Sequence, residues 1–314
     1  MSAGKKARRD GRKKRKGVKA SAKPTAHQLV RPAVEAQVER IEEAARRVGE
    51  QLDDGEAIHD FRVAMRRLRT ILRAARALYS KKQLAPMEAA LRRHGDATGA
   101  LRDAEVLAET LEAAGVEVAT GSELAGWLAR RQREADRMRE DVIALLSLNE
   151  LDATYAQLRD LMSREPRDQS AKRFAKDQLA AVRRGVKELL PVRHHEVERL
   201  HRLRVRFKRL RYTAEMLERF MAVADKDHPR VDYGAIVNEA QRFQKRLGLL
   251  HDADVAVALF EDPEQLAGLS PDTRETTREA LVALRQRLVD ESLEALERGG
   301  YHARPGGGGP REKG

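Results

Sequence analysis

Two stretches of this chain carry the residues best suited to chemistry, and they follow one pattern. The first is Ile58-His59-Asp60-Phe61-Arg62-Val63-Ala64-Met65-Arg66-Arg67-Leu68-Arg69. The second is Leu200-His201-Arg202-Leu203-Arg204-Val205-Arg206-Phe207-Lys208-Arg209-Leu210-Arg211. They align without a gap as His-x-x-Arg-Val-x-x-Arg/Lys-Arg-Leu-Arg, an internal repeat that governs the reading of the whole fold. Guanidinium groups present planar donor forks to phosphate or carboxylate oxygens, lysine adds a mobile point charge, and histidine can switch its charge near neutral pH. The chemistry these residue types offer is the capture of an anion.

On a helix advancing ~100° per residue, with each His at 0°, Arg62, Arg66 and Arg69 fall near ~300°, ~340° and ~280°. Arg204, Lys208 and Arg211 take the same bearings, while Phe61, Met65 and Leu68, like Leu203, Phe207 and Leu210, occupy ~180° to ~240°. Each motif therefore predicts a helix with an apolar face and, beside it, a stripe of one His and three cations. Arg73 adds a turn to the first stripe, where the second has Glu215. Arg67 and Arg209, near ~80°, lie at the stripe's edge. A solvated helix face ordinarily mixes signs, because Glu/Lys pairs at i,i+4 support the helix. These stripes are all positive and self-repelling, and the arrangement occurs twice, which argues for binding. From His59 to Arg69 the helix rises ~15 Å, a length that suits a chain-like polyanion better than a single phosphate.

A second segment is also repeated. Gly99-Ala100-Leu101-Arg102-Asp103-Ala104-Glu105-Val106 and Gly248-Leu249-Leu250-His251-Asp252-Ala253-Asp254-Val255 both read Gly-x-Leu-x-Asp-Ala-acid-Val. Each follows its His motif at a comparable distance. Asp103 and Asp252 are expected to cap a short helix, with Glu105 and Asp254 in its first turn. A catalytic carboxylate pair is the alternative reading of Asp103 and Asp252. Arg102 is a further candidate ligand contact, with His251 as its counterpart.

The elements that must position these residues read as helices throughout. The 314 residues are 36% charged and 4% aromatic, a balance typical of long Ala/Leu/Arg/Glu-rich helices, and no alternating strand pattern occurs. Helices are expected over 27–50, 56–79, 123–148, 151–162, 170–190, 195–224, 231–247 and 271–298. Pro86 is placed in the first turn of another helix, which Gly95 and Gly99 interrupt or end. Trp127 is expected in the core. The polar stretch 163–168 marks the boundary between two helical halves, 27–165 and 166–299, flanked by disordered tails at 1–26 and 300–314. With no Cys there are no disulfides, thiolate metal sites or Cys nucleophile. The longest uncharged run, Val142 to Asn149, falls far short of the ~20 residues of a membrane span, and no signal-peptide pattern is visible. A cytoplasmic, soluble protein without membrane contact is expected.

The net charge of +12 is concentrated at one end: residues 1–23 hold eleven Lys/Arg and one acid, Asp10. The body is therefore close to neutral, and its two basic stripes stand out as sorted charge. The tail reads as a solubilising arm or a nonspecific anchor for polyanions, including nucleic acid.

The paired His motifs, each followed by Leu-x-Asp-Ala-acid-Val, resemble the conserved histidine α-helical domain, or CHAD domain, over roughly residues 27–299. The resemblance implies an all-α fold of two four-helix-type bundles related by pseudo-twofold symmetry, with the basic helices facing a shared groove or pore. It implies inorganic polyphosphate as the ligand. The contacts it carries over are His59, Arg62, Arg66 and Arg69 with His201, Arg204, Lys208 and Arg211; association with polyphosphate granules, storage control and delivery to another enzyme would all use this site. The chain departs from the pattern at Glu215 and His251, which puts the symmetry of the site in question.

Enzymatic readings find little support. There is no phosphate loop of the form G-x-x-x-x-G-K-S/T, and His195, Glu196 and His201 have the wrong spacing for a zinc site. The alternating E-x-E-x-K signature of triphosphate-processing tunnel enzymes is absent, so no metal, cofactor or catalytic residue is expected. Nucleic-acid binding is the main competitor, favoured by a pI of about 10.0 and opposed by the scarcity of aromatics for base stacking. Docking of an acidic partner helix is the third reading.

Overall fold

A computed structural model describes residues 24–50, 55–147, 150–194, 196–224 and 231–299. The side chains of residues 49, 55, 100, 102–105, 147, 223 and 224 are likewise outside the description. Most of the basic N-terminal tail and all of the Gly-rich C-terminal tail therefore lie outside the described residues.

Among the described residues the fold is all-α. The helices are α1 (Ala26–Glu50), α2 (Gly55–Ala75), α3 (Lys81–Glu105), α4 (Leu107–Ala113), α5 (Glu123–Ser147) and α6 (Asp152–Ser163). After the stretch at 164–170 come α7 (Ala171–Lys187), α8 (Val197–Ala224), α9 (Tyr233–Glu261) and α10 (Pro271–Arg298), with a 3-10 turn at Pro263–Leu266. An isolated β-bridge joins Thr25 to Ser170.

Helix starts follow the local chemistry. Ser170, Asp232 and Ser270 cap α7, α9 and α10 by accepting from the backbone N–H three residues on, which satisfies donors that have no partner within the helix. Pro271 follows its cap at a position where a missing N–H costs nothing.

Two expectations about breaks are corrected. The third helix begins at Lys81, so Pro86 lies beyond its first turn, and α3 continues through Gly95 and Gly99. Likewise α9 runs unbroken through Gly248 to Glu261. A helical glycine costs only about 1 kcal/mol relative to alanine, which tertiary packing readily offsets. Asp103 and Asp252 are consequently helix-interior residues, and the capping role expected for them does not hold.

The apolar faces pack as the periodicity requires. On α1, Val30, Val34, Val38, Ile41 and Val48 are buried; on α2, Phe61, Met65 and Leu68; on α8, Leu203, Phe207 and Leu210. These residues belong to one continuous core spanning both halves of the sequence. Phe207 stacks on Phe243 of α9 with ring centroids 4.6 Å apart. A second, smaller core joins α4 and α5 to α9, α10 and the 3-10 turn. Trp127 is buried there, edge-on to Phe260, and donates its indole N–H to the Gln265 carbonyl at 2.9 Å. This matches the core role expected of it.

Candidate functional site: a basic seam between two helices

Because one core backs both motif helices, α2 and α8 pack against each other and bring their stripes together. Arg66 Nη1 donates to the Tyr212 hydroxyl at 2.7 Å, a direct bond between the helices. The Arg66 guanidinium also stands 5.7 Å from the Tyr212 ring centroid and that of Arg211 5.4 Å from it, so two cations share one aromatic ring. Tyr212 follows the second motif directly, and the sequence reading missed it.

Lys208 lies within this charge cluster. Burial, reinforced by Arg204, Arg66 and Arg62, pushes its pKa down to about 8, with Asp252 partly opposing the shift. Arg73 and Arg209 also come together. Arg73 is lowered to about 10 by desolvation and then by Arg209, Arg69 and Arg76, with Glu88 opposing. Its side chain is nevertheless exposed to solvent. Arg209 is lowered by burial and by Arg206. Most of the stripe residues are half-buried, the opposite of a solvated charged face; His59, near the start of α2, is exposed.

Arg69 passes α3 at Gly95: a Cβ at that position would stand 3.1 Å from Arg69 Nη1. Gly95, expected to interrupt a helix, instead leaves room for a stripe cation inside one. Arg67 of α2 reaches toward Glu215 of α8, its Nε 3.8 Å from Glu215 Oε2. Arg211 donates to the other oxygen of Glu215 at 2.8 Å and to Gln244 at 3.4 Å. The side chain of Arg102 lies outside the described residues.

His201 has company that the motif did not announce. Its Nε2 approaches Asp254 Oδ2 at 3.0 Å, while Arg285 of α10 bonds the other Asp254 oxygen. Burial works against ionisation of Asp254, but the bonds from His201 and Arg285 outweigh it and hold the carboxyl below the usual carboxylate range. His251 packs edge-on against His201, with ring centroids 5.6 Å apart. The repeated acid of the Gly-x-Leu-x-Asp-Ala-acid-Val segment was the available signal for Asp254. Nothing in the local sequence pointed to Arg285.

Among the described residues no group of three or more His, Asp or Glu side chains could hold a metal ion, and no helix is long and apolar enough to cross a membrane. The arrangement can hold a polyanion along facing rows of donors.

Comparison with known proteins gives a consistent answer. The CHAD crystal structure from the plant Ricinus communis superposes with a TM-score of 0.67 at 20% identity, covering 90% of this chain and 96% of that one. PptA from Streptomyces chartreusis gives 0.61 at 16% identity, covering 88% and 99%. The uncharacterized protein Rv2226 of Mycobacterium tuberculosis is 32% identical over 201 residues, which is 59% of this chain and 38% of that protein. The chain thus spans well under half the length of that relative. The CHAD domain family model matches residues 32–261, both His motifs included, and the protein belongs to the CHAD domain family.

Proposed function

We propose that this protein binds inorganic polyphosphate non-catalytically, between the facing stripes of α2 and α8, and that this binding targets it to polyphosphate granules. The observation that carries the reading is the placement of Lys208 among Arg204, Arg66 and Arg62. Half-buried cations of both helices converge where like charges disfavour one another, and a polyanion relieves that cost. A chain of phosphates supplies charge at regular intervals along the ~15 Å of each stripe. The seam gathers Arg62, Arg66, Arg204 and Lys208, cations that equip it to hold a phosphate chain and not to activate water against one.

Nucleic acid is the second reading, and the eleven Lys/Arg of residues 1–23 favour it. A competition assay separates the two. Labelled long-chain polyphosphate is bound to the full chain and to a chain lacking residues 1–23 at ~0.15 M salt, then challenged with duplex DNA, single-stranded RNA and polyglutamate. The expected result is tight binding by both chains that resists all three competitors. Equal competition by DNA or RNA, or loss of binding with the tail, would sink the proposal.

A further inference from the structure

Beside the seam lies a second, partly open cavity of about 300 Å³, lined by α1, α2 and α8. Its walls are apolar: Leu29 and Ala33 on α1, Ile71 on α2, Met216 and Phe220 on α8. Polar residues line it at two places. Gln37 of α1 is 4% exposed, and its Oε1 accepts no hydrogen bond. A buried amide oxygen left without a donor costs about 1–3 kcal/mol, so a site that retains one has a use for it or tolerates the loss. Arg40, Arg67 and Arg219 form a basic cluster across the same cavity.

The basic cluster is only partly neutralised from within. Glu215 is the acid in the lining, and its Oε1 is engaged by Arg211. Its Oε2 and Arg67 Nε are both buried, lack a hydrogen bond and stand 3.8 Å apart, too far to satisfy each other. Burial disfavours the Arg67 cation; Glu215 opposes that effect, while Arg219 and Arg40 add to it. The cavity thus offers an apolar body, one buried acceptor without a donor, and three cations.

We propose that this cavity binds a small amphipathic organic anion, with an apolar body carrying a hydrogen-bond donor toward Gln37 Oε1 and a carboxylate or phosphate head at Arg40, Arg67 and Arg219. The volume lies at the lower end of ligand-binding cavities and suits a single ring better than a fused system. An inorganic phosphate chain has no apolar body, so the cavity and the seam take different ligands. Tyr212 belongs to both, lining the cavity while its hydroxyl accepts from Arg66.

The test measures binding of 3-(4-hydroxyphenyl)propionate and 4-hydroxyphenyl phosphate to the full chain, beside 3-phenylpropionate, phenyl phosphate, propionate and inorganic phosphate. At least one hydroxylated aryl anion is expected to bind about tenfold more tightly than its phenyl counterpart, roughly 1.4 kcal/mol. Gln37→Leu, which replaces an unsatisfied amide by an apolar group of similar size, should remain folded by circular dichroism and abolish that preference. Ala33→Phe should fill the cavity and abolish aryl binding. Aryl binding that ignores the hydroxyl, survives Gln37→Leu unchanged, or is absent at millimolar probe overturns the proposal. None of these readouts uses polyphosphate, so they stand or fall independently of the function proposed for the seam.

Discussion

On α8, acids come close to the cations of the stripe: His201 stands 3.0 Å from Asp254, Arg211 donates to Glu215, and Lys208 feels Asp252. On α2 the balance differs. Arg66 bonds a neutral phenol, Arg69 passes a glycine, and Arg73 stands among Arg209, Arg69 and Arg76, with Glu88 opposing them. Among the described side chains, two helices with one motif thus have different company. The α8 stripe is partly neutralised by nearby acids, which favours the folded state, whereas Arg66 of the α2 stripe is held by a phenol hydroxyl and Arg73 stands among like charges that Glu88 opposes. Repetition of a motif fixes the bearings of its side chains, whereas the packed neighbours decide how much charge each one has to offer.

The sharpest test of this inequality is to remove the stripes one at a time. Changing Arg62, Arg66 and Arg69 together to Ala is expected to weaken polyphosphate binding by more than about a hundredfold, since charge-assisted hydrogen bonds contribute about 1.5–3 kcal/mol each. The matching change of Arg204, Lys208 and Arg211 should cost less. Titration calorimetry on both variants gives the answer, and equal losses would erase the distinction between the helices.

Asp254 provides the next largest effect, on stability. Asp254→Asn leaves His201 and Arg285 without their carboxylate and is expected to cost about 2–3 kcal/mol in urea unfolding at pH 7. Because the folded pKa of Asp254 is depressed, its contribution is fully present above the unfolded value of about 3.9 and is lost as pH falls through the lower folded value. The variant should therefore lose less stability than the parent on acidification below about pH 4.

The pH dependence of stability sharpens the comparison from the side of Lys208. With a folded pKa of about 8 against an unfolded value near 10.5, the unfolded chain binds more protons between those values. Stability of the ligand-free protein should then rise with pH from about 8 toward 10, and Lys208→Met should flatten that rise while stabilising the protein at neutral pH. Thermal melts across that range decide it; an unchanged slope in the variant would mean that Lys208 does not carry a strained charge.

Much of this could be read from residue spacing. The His motifs gave the two stripes and the buried faces behind them, because helical periodicity is local and Phe61, Met65 and Leu68 have one direction in which to go. Helix ends at Gly99 and Gly248 were misread, because a penalty of about 1 kcal/mol cannot compete with the packing of a long helix. The second partner of Asp254 lay beyond reach for a different reason. Arg285 meets Asp254 because α10 packs on α9, a contact that no local pattern encodes. Arg67 occupied the edge of the stripe by angle alone; its turn toward Glu215 required knowledge of where α8 crosses α2.

The continuous core behind both motif helices has a mechanical corollary. Phe61, Met65 and Leu68 on one side and Leu203, Phe207 and Leu210 on the other are parts of a single packed mass. Close-packed interiors resist compression and do not slide continuously. If the proposed function holds, the stripes act as the jaws of a fixed caliper, which gauges the girth of a bound chain and ignores how far it extends beyond either end.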